Sequence, residues 1–235
     1  MKLEISDLTV RFGGVKPLDG VTLTFESGLC GLIGPNGAGK TTLFNVLSGF
    51  VRPSSGAAHV NGTDLLALPA HRRARWGLRR TFQQEQLVAE LSVGANLLLA
   101  RDHLAAGTAG ANAAELLEFV GLAGPDRPVG GLTLFERRKL ELARSLAGTP
   151  KIVLLDEPSA GLSEAESMEL AGAMRAVPER FGALVVLIEH DMGLVGEICG
   201  TTAVLDFGRL VTSGPTAEVL NDDRVRAAYL GEPVA

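Results

Sequence analysis

The chain of 235 residues has few of the features that would staple, anchor or export a protein. Its two cysteines, Cys30 and Cys199, lie in apolar surroundings without CxxC spacing. A disulfide framework or a thiolate metal site is therefore not expected, and both are read as buried, reduced thiols of a cytosolic protein. Long apolar runs are missing too: IVLL and ALVVLI are strand-sized, far below the roughly 20 residues needed to cross a bilayer. The start carries no basic, then apolar, then small-residue pattern, so no export signal is expected. There are no internal repeats and no low-complexity tract. A basic excess is also absent, with 22 basic against 27 acidic residues and a net charge of −5. That balance argues against nucleic acid as a partner.

What is present is a globular composition, 46% hydrophobic and 21% charged, long enough to bury a core without staples. LEISDLTVRF and VTLTFES alternate in twos, as half-buried strands joined by a turn over Gly13 to Pro17. GLCGLIG reads as a short buried strand leading into a glycine-rich turn and the helical TTLFNVLSG. Residues 91–148 differ, with Ala, Leu and Glu at helical spacing, and read as a helical subdomain inserted into a sheet domain. The core and a β-subdomain then take residues 1–90 and 149–235, all within one domain. After Pro150 strands alternate with helices: KIVLLDE, a helix over about Glu164 to Val177, ALVVLIEHD, TAVLDFG and RLVTSG. Such alternation predicts an α/β fold around a mostly parallel sheet covered on both faces.

GPNGAGKTT, residues Gly34, Pro35, Asn36, Gly37, Ala38, Gly39, Lys40, Thr41 and Thr42, matches the phosphate-binding loop pattern between a strand and a helix. Three glycines let consecutive N–H groups curl toward a phosphate, and the following helix adds its positive end. Lys40 places an ammonium on the β/γ-phosphates, and the Thr41 hydroxyl is placed for Mg²⁺. KIVLLDEP leaves Asp156 at the carboxyl end of a buried strand, where ligands bind in parallel sheets. Asp156 is the candidate Mg²⁺ ligand, and Glu157 the candidate to orient or deprotonate a water. VVLIEHD ends in Glu189, His190 and Asp191, and His190 can reach the same crevice if the two strands are neighbours.

Taken in order and spacing, GPNGAGKTT, TFQQ, ARSLAGTPKIVLLDEPSAGL and VVLIEHD resemble the ATP-binding subunits of ABC transporters over essentially the whole chain. The resemblance implies a RecA-like P-loop core with an N-terminal antiparallel β-subdomain, ATP and Mg²⁺ as cofactors, and ATP hydrolysis. It implies that Gln83 touches the metal and the lytic water and senses a membrane subunit, that Phe12 stacks on adenine, and that His190 is a switch histidine. It further implies transmembrane permease subunits, a second ATPase subunit (identical or a paralogue), a solute-binding protein reached indirectly, and a place on the inner face of the membrane. RFGGVKPLDGVTL, IEHDMGLVGEIC and the tail AAYLGE resemble importers of branched-chain amino acids, with urea or short-amide importers and non-transport ABC ATPases as alternatives.

One loop departs from the family pattern. Leu132 to Glu136, LTLFE, stands where the family commonly has LSGGQ, the loop that clasps the γ-phosphate bound to the other subunit. Thr133 keeps the hydroxyl, acting in trans, but Phe135 replaces a glycine and Glu136 a glutamine. Two readings follow: Phe135 points away and the clasp works, or this subunit is one half of an unequal pair. Ser163 likewise stands where many relatives have Asp. The arginine-rich HRRARWGLRR, His71 to Arg80, and the helix ERRKLELAR read as solvated, ion-paired faces.

Overall fold

Five-residue runs without a polar interruption, LCGLI and LVVLI among them, have no face to give to water, and the chain pairs them at the centre of a sheet. The computed structural model describes residues 1–26, 28–102 and 110–230. Its strands are β1 (Leu3–Phe12), β2 (Val15–Phe25), β3 (Leu29–Ile33), β4 (Ser55–Val60), β5 (Thr63–Asp64), β6 (Leu78–Arg80), β7 (Ile152–Asp156), β8 (Leu184–Ile188), β9 (Thr201–Asp206) and β10 (Arg209–Pro215). The helices are α1 (Lys40–Ser48), α2 (Ala70–Trp76), α3 (Val93–Asp102), α4 (Ala113–Phe119), α5 (Leu134–Ser145), α6 (Glu164–Phe181), α7 (Met192–Ile198), α8 (Thr216–Leu220) and α9 (Asp223–Leu230). Two residues of the importer-like tail, Gly231 and Glu232, lie outside the described residues, as does the end of the helical run after Asp102.

Six strands form one sheet in the order β10-β9-β3-β8-β7-β6, parallel throughout except for the β9–β10 hairpin at one edge. Side chains alternate between its faces as the pleat requires. Ile152, Leu154, Leu184, Val186 and Ile188 join the apolar layer under α1, while Val153, Leu155, Val185 and Leu187 join the layer that holds α5 and α6. The second sheet, β2-β1-β4-β5, is antiparallel and packs Leu3, Ile5, Leu23 and Phe25 into the α1 layer. Its first turn is tighter than expected, closing at Gly13 and Gly14, so that Pro17 lies inside β2. Proline is tolerated there because β2 is an edge strand of that sheet.

Helices α3, α4 and α5 fall between β6 and β7 in the chain. Val93, Leu97, Leu116 and Leu140 share one apolar layer with Val153, Leu155 and Leu170, so this segment is packed continuously onto the sheet face. Helix α6 runs four residues past the expected end at Val177, through Pro178, and stops at Gly182 in a left-handed conformation. The arginine-rich stretch is a solvated face only in part: His71, Arg72 and Arg75 are exposed, whereas Arg73, Arg79 and Arg80 turn inward. Arg73 is buried, and its guanidinium donates to the carbonyls of Leu68, Val46 and Leu47, satisfying the carbonyl end of α1. Arg79 donates to the carbonyls of Ala147 and Ala74, and Arg80 is buried against an aspartate. In α5, Arg138, Lys139 and Glu141 are likewise buried, Arg138 pairing with Glu141 at 2.9 Å and Lys139 with Glu169 at 2.5 Å.

Candidate functional site

The loop after β3 turns on two glycines that no other residue could replace. Gly34 has φ +147°, and a Cβ there would sit 2.0 Å from the Leu205 carbonyl oxygen. Gly39 has φ +105°, and its Cβ would sit 2.3 Å from the Pro17 carbonyl oxygen. Both corners need a backbone that L side chains rarely adopt and a space that only hydrogen fits. Between them Ala38 N–H donates to the Pro35 carbonyl at 3.1 Å, while Asn36 and Gly37 are exposed. The Ala38 carbonyl accepts from Gly208, which ties the β9–β10 hairpin to the loop. Lys40 is buried and folds back over this curl, its Nζ donating to the carbonyls of Gly34 (2.6 Å) and Pro35 (3.0 Å). Burial pushes its ammonium below the usual lysine range, against the pull of Glu157 and Asp156. Gly39 caps α1 without a side-chain hydrogen bond, leaving the positive end of the helix for an anion. Thr41 is exposed and Thr42 half-buried on the first turn.

Facing the loop are the carboxyl ends of β6, β7 and β8. Asp156 pairs in register with Ile188, so Glu157 and His190 leave neighbouring strands side by side. Glu157 takes φ +50°, an uncommon conformation for a side chain of this size, while its N–H donates to the Ile188 carbonyl. Gln83 Nε2 donates to Glu157 Oε1 at 3.0 Å, and His190 Nε2 lies 2.9 Å from the same oxygen. Three loops thus converge on one carboxylate. Glu189, nearly fully buried, accepts from the Ser159 N–H and hydroxyl and from His190 N–H, which braces the segment after Glu157 against the His190 turn. Asp191 caps α7 by accepting from Leu194 N–H.

Asp156 is held on two sides. Its N–H donates to the Thr81 hydroxyl at 3.0 Å, and its Oδ2 accepts from Arg80 at 2.9 Å. Burial pushes its carboxyl above the ordinary range, opposed by the Arg80 guanidinium. The other oxygen, Oδ1, is buried without a hydrogen-bond partner. A buried carboxylate oxygen with no donor suits a hard cation or its water shell. Among the described residues no group of three or more His, Cys, Asp and Glu could hold an ion. A site supplying one carboxylate, Asp156, with neutral oxygens from Thr41 and Gln83 fits Mg²⁺, which takes one or two carboxylates and fills the rest with phosphate oxygens and water.

Two expected residues lie apart from this cluster. Phe12 ends β1 opposite Val15, both exposed, and the partner strand β2 carries Pro17, whose carbonyl lies close against Gly39. Thr133 caps α5, its hydroxyl accepting from Glu136 N–H and its own N–H donating to Glu136 Oε2. Phe135 packs against the core layer with the Lys139 ammonium 4.3 Å from its ring centre. Glu136 is bound bidentately by Arg127 at 2.6 and 3.1 Å, which together with Thr133 lowers its carboxyl from the usual range. Neither departure from the family loop therefore points freely outward. Ser163 caps α6 in a box with Glu166, work that an aspartate would also do. Arg80, Thr81 and Arg127 were not anticipated. The first two sit inside the RTFQQ stretch, which is their only sequence signal.

A glycine-cornered loop opening a helix, a lysine folded across it and carboxylates at adjacent parallel strand ends define a P-loop nucleoside triphosphatase. The comparisons are narrower: the family described as "ABC transporter" matches residues 18–160, and "Branched-chain amino acid ATP-binding cassette transporter" matches residues 209–235. The chain is 39% identical to the high-affinity branched-chain amino acid transport ATP-binding protein BraF of Pseudomonas aeruginosa, covering 98% of each. It is 36% identical, again over 98% of each, to LivG of Escherichia coli (strain K12), which carries the same description. The crystal structure of the ADP conformation of MJ1267, an ATP-binding cassette of an ABC transporter, superposes with TM-score 0.87 at 27% identity, over 99% of this chain and 100% of that one. The chain belongs to the ABC transporter family, as one of its ATP-binding, ATP-hydrolysing cassettes.

Proposed function

We propose that this chain powers an importer of branched-chain amino acids, hydrolysing ATP beneath separate transmembrane permease subunits. The observation that carries the catalytic reading is the meeting of Gln83 and His190 on one oxygen of Glu157, beside the Lys40 loop. The solute reading rests on relatives described as branched-chain amino acid transport proteins and on the match of residues 209–235. Among the described residues no helix is long and apolar enough to cross a membrane, so the transport path is assigned to other chains. The proposal places this subunit peripherally on the inner face of the membrane, with a solute-binding protein acting through the permease.

Each residue has a proposed task. The N–H groups from Gly34 to Thr42 cradle the phosphates, and Lys40 exchanges its two loop carbonyls for γ-phosphate oxygens. Phe12 stacks on the adenine. Thr41, Asp156 and Gln83 would hold Mg²⁺, which would neutralise charge building on the phosphate oxygens. Glu157 accepts a proton from the attacking water; Gln83 and His190 fix the direction of its carboxylate, and His190 can turn to the γ-phosphate. A second ATPase subunit, identical or a paralogue, presents its own Thr133 and α5 N-terminus across the nucleotide. With Phe135 folded onto Lys139 and Glu136 neutralised by Arg127, we favour a divergent but working clasp over an impaired one. Residues 1–90 and 149–235 then form the core and β-subdomain, and residues 91–148 the helical subdomain that meets the permease. Affinity isolation from membranes tests this directly. Co-purification of permease subunits and a branched-chain-specific binding protein supports it; co-purification with an unrelated assembly overturns it.

A further inference from the structure

One buried ion pair in the site has no task in the scheme above. Arg80 ends β6, with 5% of its side chain exposed, and meets Asp156, whose side chain is 1% exposed. Its Nη2 donates to Asp156 Oδ2, and its Nη1 donates to Asn45 Oδ1 at 2.7 Å. The guanidinium carbon lies over two rings, 5.5 Å from the centre of Phe44 and 4.9 Å from that of Phe82. Phe44 and Asn45 belong to α1, the helix that the phosphate loop opens, and Phe82 is the residue before Gln83. Arg80 therefore touches all three parts of the site at once. On Asp156 its effect is directional: Oδ2 is taken, the N–H is taken by Thr81, and only Oδ1 is left unpartnered.

We propose that Arg80 is a positioning residue for Asp156, fixing the carboxylate so that Oδ1 alone is presented for Mg²⁺. The physical reason is geometric and electrostatic. A buried carboxylate that loses the donor on Oδ2 is free to rotate about its Cβ–Cγ bond, and rotation removes the presented oxygen. A lysine at this place would supply the charge as a single point. It could not reproduce the fork by which Nη1 meets Asn45 and Nη2 meets Asp156, because only a planar guanidinium offers its donors in that geometry. The inference rests on the reading of Asp156 as a metal-side residue.

The test is binding of a fluorescent ATP analogue to the purified full chain, once with EDTA and once with saturating MgCl2. The Mg²⁺-dependent gain in affinity is the readout, since a merely structural loss lowers both values alike. Arg80→Met is expected to leave the EDTA affinity within about twofold and to reduce the Mg²⁺ gain by about tenfold or more, the usual size for a ligand-orienting partner. Arg80→Lys should recover only part of that gain. Should Arg80→Met fail to fold, as loss of one buried ion partner can cause, Asn45→Ala is expected to show the same selective loss at smaller size. In an Asp156→Asn background Arg80→Met should add less than about twofold, because both act through one carboxylate. Equal loss with and without Mg²⁺, or additive effects in the double variant, overturns the proposal. No effect of Asp156→Asn by itself overturns instead the metal-side reading of Asp156, so the two failures are distinguishable.

Discussion

At the scale of single residues the site was partly legible. GPNGAGKTT and LLDE are read directly because each residue type answers a local need: backbone curl, charge, or a carboxylate at a strand end. Glu157→Gln is expected to lower ATP turnover by about two orders of magnitude or more while nucleotide affinity is kept, as measured by phosphate release and binding in parallel. The arginines were misread, because nothing in HRRARWGLRR shows that Arg80 has a partner 76 positions away or that Arg73 faces the end of α1. Cysteine behaved as expected: Cys30 and Cys199 are both buried and free. Burial pushes the Cys199 thiol up to about 12. Native protein at pH 8 should therefore resist a thiol reagent that labels the unfolded chain fully. The sign for stability follows from linkage. Above the ordinary thiol value, near 8.5, the unfolded chain loses a proton that the native state keeps. Stability then falls as pH rises from about 9 to 12, and Cys199→Ala should flatten that limb of a denaturation profile.

At the scale of elements, the N-terminus of α5 holds both off-pattern side chains in place, as the proposed working clasp requires. Thr133 and Glu136 form a capping box, Arg127 neutralises Glu136, and Lys139 holds Phe135 back. Replacing Phe135 by Gly and Glu136 by Gln together should therefore bring no rise in ATP turnover of the assembled transporter. A clear gain would mean that these side chains obstruct the clasp. Thr133→Ala should cost about 1 kcal/mol in thermal or denaturant unfolding through loss of the cap. Sequence periodicity located α1, α6 and the helical segment that holds α3, α4 and α5, but not the end of α6 and not the short helices α2, α8 and α9. Helix α6 continues through Pro178 because Leu170, Met174 and Val177 are locked into the core layer, a tertiary effect that local propensity does not register. The turn at Gly13 and Gly14 was overlong in the reading because Pro17 looks like a turn residue until its strand is known to be an edge.

Across the whole molecule, the parallel sheet is what brings distant motifs together. The phosphate loop follows β3, and the strand ends leading to His190, Asp156 and Arg80 lie successively beside it in the order β8, β7, β6. Sequence order and spacing made the family legible, and strand alternation made the sheet legible. The neighbour relation of β7 and β8, needed to place His190 beside Glu157, became certain only with the pairing of Asp156 and Ile188. Leu154 is fully buried on β7, between β8 and β6, so Leu154→Ala should cost about 2–5 kcal/mol in denaturant unfolding and loosen the site with it.

The central claim is that a triphosphate lies in the curl between Gly34 and Thr42 under the Lys40 ammonium. Nucleotide affinity of purified Lys40→Ala, compared with wild type at one salt concentration, tests it most directly. The account predicts a fall of about 10- to 100-fold, the size of lost charge-assisted hydrogen bonds. Affinity equal to that of wild type would contradict it.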